Sequence, residues 1–237
     1  MIPWIDEQNP IFPPTELALV EPDGLLCAGG NLNIETLVAA YRQGIFPWYS
    51  EGQPILWWSP DPRMVLTPEI FHLSRSMKRF VKTTKLRVTS NSAFPEVISA
   101  CASIARAGQE GTWITDEMQQ AYCDLHQKGY AHSVEVWNQS QLVGGLYGIA
   151  LGKVFFGESM FSLTSNASKL ALTGLVSSGL FELIDCQQHT PHLESLGAKL
   201  MSRHVFLARV NELVDNSPVS LVISQETSSW MGNRASE

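Results

Sequence analysis

Two stretches of this chain set polar, chemically useful side chains inside otherwise apolar strands. The first is Gly157-Glu158-Ser159-Met160-Phe161-Ser162. Alternation along a strand sends Glu158, Met160 and Ser162 to one side, and Phe155 is assigned to that side with them. A carboxylate among apolar neighbours is costly unless something pairs with it, so Glu158 is a candidate to receive an amine or another cationic group. The plainer alternative is a carboxylate satisfied by neighbouring donors. The second stretch is Leu183-Ile184-Asp185-Cys186-Gln187. Asp185 and Gln187 share one face of it, Ile184 and Cys186 the other. An Asp that accepts from the Gln amide would fix where the Gln carbonyl points, and that carbonyl could then accept from an attacking amine. Polar residues at a strand end also serve simply as caps or turn formers.

Other candidates are weaker. Cys186 with His189 and His192 invites a thiol-nucleophile reading, but Cys186 faces away from Asp185 and Gln187, and closeness in sequence is not triad geometry. His189-x-x-His192 lacks the further Cys or carboxylate ligands a metal site needs. No Walker loop and no dinucleotide-binding glycine fingerprint occurs. Trp48, Trp57 and Trp58 lie in a Pro-rich segment, and Trp113 in a loop before a helix. Such aromatics either stack on nucleic-acid bases or plug the seam between domains.

The elements that position these residues follow from pattern. Asn33 caps a helix whose Ile34, Leu37, Val38 and Tyr41 fall on one face, with Gly44 ending it. The prolines of residues 45–63 forbid a regular element there, and Pro60-Asp61-Pro62 marks a junction between a small domain, residues 1–62, and a larger one, residues 63–237. A basic helix is expected over 74–82, a strand over 86–89, and helices over 92–105 and after Thr115. Three strands follow in a row, 133–137, 142–150 and 153–161. Next come a helix over 166–177, the buried strand 181–187, a short helix over 191–195, a strand over 199–205 and a helix over 207–214. The polar tail after Asn216 is expected to be loose. This order implies a mixed α/β (α+β) fold, with a largely antiparallel mixed sheet and helices on both faces. It is the order of the acyl-CoA N-acetyltransferase-like (GNAT-like) fold, which does not fix the reaction.

Composition narrows the setting. The chain has 237 residues with a net charge of −7, which argues against indiscriminate nucleic-acid binding. Yet Arg75, Lys78, Arg79, Lys82, Lys85 and Arg87 gather six of the 16 basic residues. Such a patch either grips a polyanion locally or is a solvated helix face. Four scattered cysteines without a C-x-x-C pair, no apolar run of spanning length and no secretory leader in the first residues together lead us to expect a cytoplasmic protein with no membrane partner.

Taken together, seven motifs resemble leucyl/phenylalanyl-tRNA–protein transferases. They are Gly44-Ile-Phe-Pro-Trp-Tyr-Ser, Trp57-Trp-Ser-Pro-Asp-Pro-Arg, His72-Leu-Ser-Arg-Ser-Met-Lys-Arg, Gly111-Thr-Trp-Ile-Thr, Val143-Gly-Gly-Leu-Tyr-Gly, Phe156-Gly-Glu-Ser-Met-Phe-Ser and Leu183-Ile-Asp-Cys-Gln. The resemblance runs in order from Glu21 to Ala198. It implies an enzyme that takes Leu, Phe or Met from aminoacyl-tRNA and joins it to proteins beginning with Arg or Lys, producing a destabilising amino terminus for proteolysis. We expect a monomer, and, because an ester donor is already activated, no cofactor. By motif, Trp48 and Trp113 correspond to residues near the terminal adenosine. Leu146, Phe155, Met160, Ser162, Ile184 and, as nearest equivalent, Leu175 correspond to the donor side-chain pocket. Glu158, Asp185 and Gln187 match residues assigned to catalysis or substrate placement, and the basic helix with Lys85 and Arg87 fits the surface for the tRNA backbone. Leu146 stands where relatives can carry Met, and Leu175 where they can place Phe, which bears on the balance between Leu and Phe. The rival readings are an acyl-CoA-dependent N-acyltransferase and a non-catalytic RNA-binding module. Against the first, the helix at Asn166 opens Asn-Ala-Ser-Lys, without a pyrophosphate-binding glycine loop.

Overall fold

The computed structural model describes residues 2–104, 114–214 and 219–223. Its amino-terminal part carries β1 (Trp4–Ile5), β2 (Leu25–Gly29), α1 (Ile34–Arg42), β3 (Phe46–Pro47) and β4 (Leu56–Trp58). The four strands form a small sheet in the order β1-β2-β4-β3. Short strands at 46–47 and 56–58 correct the expectation that the prolines exclude any element here. Pro47 stands at the outer edge of that sheet, where a missing N–H can be tolerated.

The rest of the chain forms β5 (Arg63–Leu66), α2 (Arg75–Thr83), β6 (Arg87–Ser90), α3 (Phe94–Ser103), α4 (Asp116–Gln127), β7 (Ala131–Asn138), β8 (Gln141–Leu151), β9 (Val154–Ser162), α5 (Ala167–Ser177), β10 (Leu183–Gln187), α6 (Pro191–Ser195), β11 (Lys199–Met201) and α7 (Arg203–Leu213). Seven strands pair in the order β11-β5-β10-β9-β8-β7-β6. Only β9 and β10 run parallel, with α5 as the crossover between them; every other pair is antiparallel. The expected class, a small amino-terminal domain beside a mixed and largely antiparallel sheet, is the one observed. The strand β5 was not foreseen: four residues after a proline-rich junction give too short a pattern to read, yet β5 lies between β10 and β11 and is wholly buried.

Helices cover the sheet on both faces and divide its core in two. One apolar cluster holds residues of α1, α3, α4 and α7, together with Trp57 and other side chains of the small sheet. The second holds Met77 and Val81 of α2, the apolar face of α5, and Phe155 and Ile184. The helix starts are chemically marked: Ser74, Thr115 and Thr190 accept from the backbone N–H of Met77, Met118 and Leu193, each at 3.2 Å. Asn33 occupies the start of α1 without a side-chain cap hydrogen bond; Asn31 braces the entry to the helix instead, accepting from the Asn33 N–H and the Thr36 hydroxyl. Residues 219–223 are not loose. The Ser90 hydroxyl donates to the Leu221 carbonyl and accepts from the Ile223 N–H, and Leu221 and Ile223 are buried.

Candidate active site

Where β9 passes β8, the ladder skips one residue: Tyr147 faces Ser159 and Gly148 faces Gly157, leaving Glu158 as a bulge. Gly148 is required there, since a Cβ would fall 2.2 Å from the Phe156 carbonyl oxygen. The bulge corrects the alternation argument. Phe155 and Met160 both join the second apolar cluster because one residue has been inserted between them. Glu158 instead turns its carboxylate to the phenols of Tyr41 and Tyr122, which belong to the first.

A second bulge falls at Cys186, where β10 meets β5. It places Gln187 in the left-handed region, φ 61°, beyond the end of the regular ladder. The predicted contact between the Gln187 amide and Asp185 does not form. Asp185 accepts the backbone N–H of Gln187 at 2.8 Å, while the side-chain amide donates to Glu158 Oε1 at 2.9 Å. The Gln carbonyl is therefore aimed by Glu158, and Asp185 holds the backbone that carries it.

Asp185 is held in turn by Arg63, a residue the sequence reading missed. Its Nε and Nη2 donate to Oδ1 and Oδ2 at 2.8 and 2.7 Å, a bidentate pair with both residues 0% exposed. Nη1 donates to the carbonyl of Gly44, just beyond α1, and the guanidinium lies 4.8 Å from the rings of both Phe46 and Phe206. The signal was present: a buried Asp on an apolar strand demands a cation. Pattern could not say which of the basic residues supplies it.

Glu158 meets no cation among the described residues. Tyr41 and Tyr122 place hydroxyls 2.7 and 3.0 Å from Oε1 and Oε2. Burial pushes its pKa up to about 7; the two phenols pull against that, Asp185 adds to it, and the Gln187 amide opposes it. Both tyrosines occupy helix stripes that the sequence marks only as core, and a buried phenol needs a partner. Cys186 sits beside these groups, but burial raises its thiol pKa well above the ordinary value, the reverse of an activated nucleophile.

Glu158 and Gln187 stand on the wall of a cavity of about 480 Å³. Its apolar lining includes Leu146, Phe155, Met160, Leu175 and Ile184, five of the six side chains expected of a donor pocket, and adds Leu172 of α5. Ser162 is the correction. It is exposed and serves the turn into α5, donating to the Thr164 carbonyl and accepting from the Ser168 N–H. Trp48 lines the same cavity, half-buried against Trp58. Trp57 is instead core, its indole N–H bound to the Gly29 carbonyl. Trp113 lies outside the described residues. Arg75, Lys78, Arg79, Lys82, Lys85 and Arg87 are all exposed and form no salt bridge among the described residues; Arg87 stacks over Trp137.

A sequence model described as leucyl/phenylalanyl-tRNA protein transferase matches residues 65–211, and the model of that family's N-terminal domain matches residues 30–61. The chain belongs to the leucyl/phenylalanyl-tRNA–protein transferase family. A curated transferase of this name from Pseudomonas entomophila is 56% identical over 209 residues, covering 87% of this chain and 92% of that one. The Chromobacterium violaceum member is 53% identical over 218 residues, covering 90% and 92%. Among solved structures, a GCN5-related N-acetyltransferase from Kribbella flavida superposes with a TM-score of 0.36 at 10% identity, over 73% of this chain and 62% of that one, which is too distant to argue from. In this family member, then, the motif residues Glu158, Asp185 and Gln187 all line one cavity, and Ser162 is not among its lining residues.

Proposed function

We propose that the chain transfers Leu, Phe or Met from aminoacyl-tRNA to the amino-terminal Arg or Lys of acceptor proteins, as a cytoplasmic monomer that needs no cofactor. The product would be a peptide bond and a destabilising amino terminus that marks the acceptor for proteolysis. The observation that carries this reading is the cavity itself: lined mostly by apolar side chains, with a carboxyl and a carboxamide on its wall. An unbranched-at-Cβ apolar side chain fills such a space while its ester stays beside Glu158 and Gln187.

The donor is an ester and already activated, so aminolysis runs downhill once an uncharged amine is aligned with it. An α-amino pKa of about 7.7–8.0 leaves a useful neutral fraction near pH 7. Gln187 would accept a hydrogen bond from that amine through its carbonyl oxygen, with Glu158 holding the other end of the amide. Asp185 and Arg63 act one step back, as positioning residues for the Gln187 backbone. Alignment of this kind can supply several kcal/mol of a barrier. Trp48, and Trp113 by motif, would stack on the terminal adenosine. The division at residue 62 assigns the basic surface of α2 and β6 to the larger domain, where it would meet the tRNA backbone.

The direct test is to mix the full chain with radiolabelled Leu-tRNA and a protein beginning with Arg. Label moving into the protein is expected; none moving, with charged tRNA intact, overturns the reading. Changing Arg75, Lys78 and Arg79 together to Glu should weaken tRNA binding and flatten its salt dependence by roughly one unit of log–log slope per lost phosphate contact. Filter binding across a salt series would read both, and unchanged binding removes this surface from the proposal.

A further inference from the structure

Behind the cavity wall three side chains close a ring of oxygens. Tyr41 Oη lies 2.7 Å from Glu158 Oε1, Tyr122 Oη lies 3.0 Å from Oε2, and the two phenol oxygens lie 2.5 Å from each other. An oxygen–oxygen contact of this length is attractive only with a proton on the line between them. Three contacts therefore require three protons. Each phenol owns one and keeps it: burial, then the neighbouring Glu158, raises both well above the ordinary tyrosine value. That leaves one contact without a proton if Glu158 is ionised.

Among the described residues, the surroundings offer Glu158 no compensating charge. Arg63 of β5 is engaged by Asp185 of β10, which itself carries a carboxylate toward the group. Tyr122 of α4 has Tyr147 of β8 packed edge-on against it, and α1 contributes Tyr41. From β10 the Gln187 amide donates to Oε1, the same oxygen that Tyr41 approaches.

We propose that Glu158 holds the third proton, so that the resting site presents a neutral carboxylic acid, kept in place by Tyr41 and Tyr122, to the incoming amine. Two donors converge on Oε1, which makes it the carbonyl oxygen and Oε2 the hydroxyl. The ring then runs one way: Oε2–H donates to Tyr122, Tyr122 to Tyr41, and Tyr41 to Oε1. Neither tyrosine lines the cavity, so both act through Glu158 and are positioning residues. The consequence rests on the aminoacyl-transfer reading above. An anionic Glu158 would hold an α-amine best as its ammonium, which cannot attack; a neutral acid leaves the amine free to stay uncharged.

The test needs neither tRNA nor acceptor. The full chain is labelled with 13C at the glutamate carboxyl, and its infrared spectrum is recorded from pH 6 to pH 9 with that of Glu158→Gln subtracted. At pH 6 a carboxylic-acid carbonyl band is expected, giving way to a carboxylate band as pH rises through about 7. In Tyr122→Phe the band should persist but move to the position of an acid that has lost the acceptor for its proton. Tyr41→Phe, which removes the donor to the carbonyl oxygen instead, serves as the second variant. A carboxylate band alone at pH 6, or an acid band that neither Phe variant moves, overturns the proposal. Loss of this band with transfer intact would defeat the inference alone; absence of transfer with the band present would defeat the functional reading alone.

Discussion

Asp185 and Glu158 are buried carboxyl groups on adjacent parallel strands, joined through Gln187, and the fold treats them in opposite ways. Asp185 receives a bidentate guanidinium, a backbone N–H and two flanking aromatic rings beyond the guanidinium. Glu158 receives two phenols and an amide, and no cation among the described residues. A fully compensated carboxylate serves as a fixed point. One held only by neutral groups can exist in either protonation state.

The sharpest way to break this contrast is to remove the cation. Arg63→Ala leaves the Asp185 charge buried without a partner, and should cost about 3–5 kcal/mol of stability. It also removes the hydrogen bond to Gly44 and the packing between Phe46 and Phe206, so the small sheet and α7 loosen together. Chemical denaturation of the variant against the parent chain measures this. A loss below about 1 kcal/mol, the scale of a surface pair, would mean that Asp185 is not the anchored member.

How much of this was legible in the chain depends on the range of the interaction. The meander β7-β8-β9, the crossover helix α5 and the strand β10 follow from local periodicity, and five of the six side chains expected of the donor pocket line the cavity. The positions of Phe155, Glu158 and Ser162 were not settled by alternation, because a bulge changes the count at the one residue where it matters. Nor was the partner of Asp185, because Arg63 is 122 residues away in sequence. The same holds for Tyr41 and Tyr122, which look like ordinary members of helix stripes until the sheet brings them to one carboxyl. Pattern reads what neighbours along the chain decide; bulges and buried polar pairs are decided by tertiary contacts.

The second prediction concerns the other carboxyl. Glu158 binds its proton more tightly folded, with a pKa of about 7, than unfolded, near 4.5. Between those values the folded state holds a proton that the unfolded state lacks, so stability falls as pH rises from about 4.5 to 7 and is level beyond. The whole window is worth on the order of 3 kcal/mol. Glu158→Gln cannot titrate, yet it can still donate to Tyr122 and accept from Tyr41. Subtracting its stability-versus-pH curve from that of the parent should therefore leave a fall over this window. A difference that rises with pH would mean that Glu158 behaves like a compensated carboxylate, and the contrast with Asp185 would vanish.

The smallest effect tests the residue between them. Gln187 binds Asp185 through its backbone and Glu158 through its side chain, so Gln187→Ala keeps the first link and cuts the second. With the backbone N–H still on Asp185, folding stability should change by under about 1 kcal/mol. The cavity and the basic face of α2 are untouched, so tRNA affinity should also hold. What is lost is the carbonyl proposed to align the amine, and turnover should then fall on the order of tenfold, with KM for Leu-tRNA nearly constant. A rise in KM at constant turnover would assign Gln187 to donor binding. Unchanged kinetics would leave Glu158 to align the amine by itself, and the double attachment of Gln187 would then be structural.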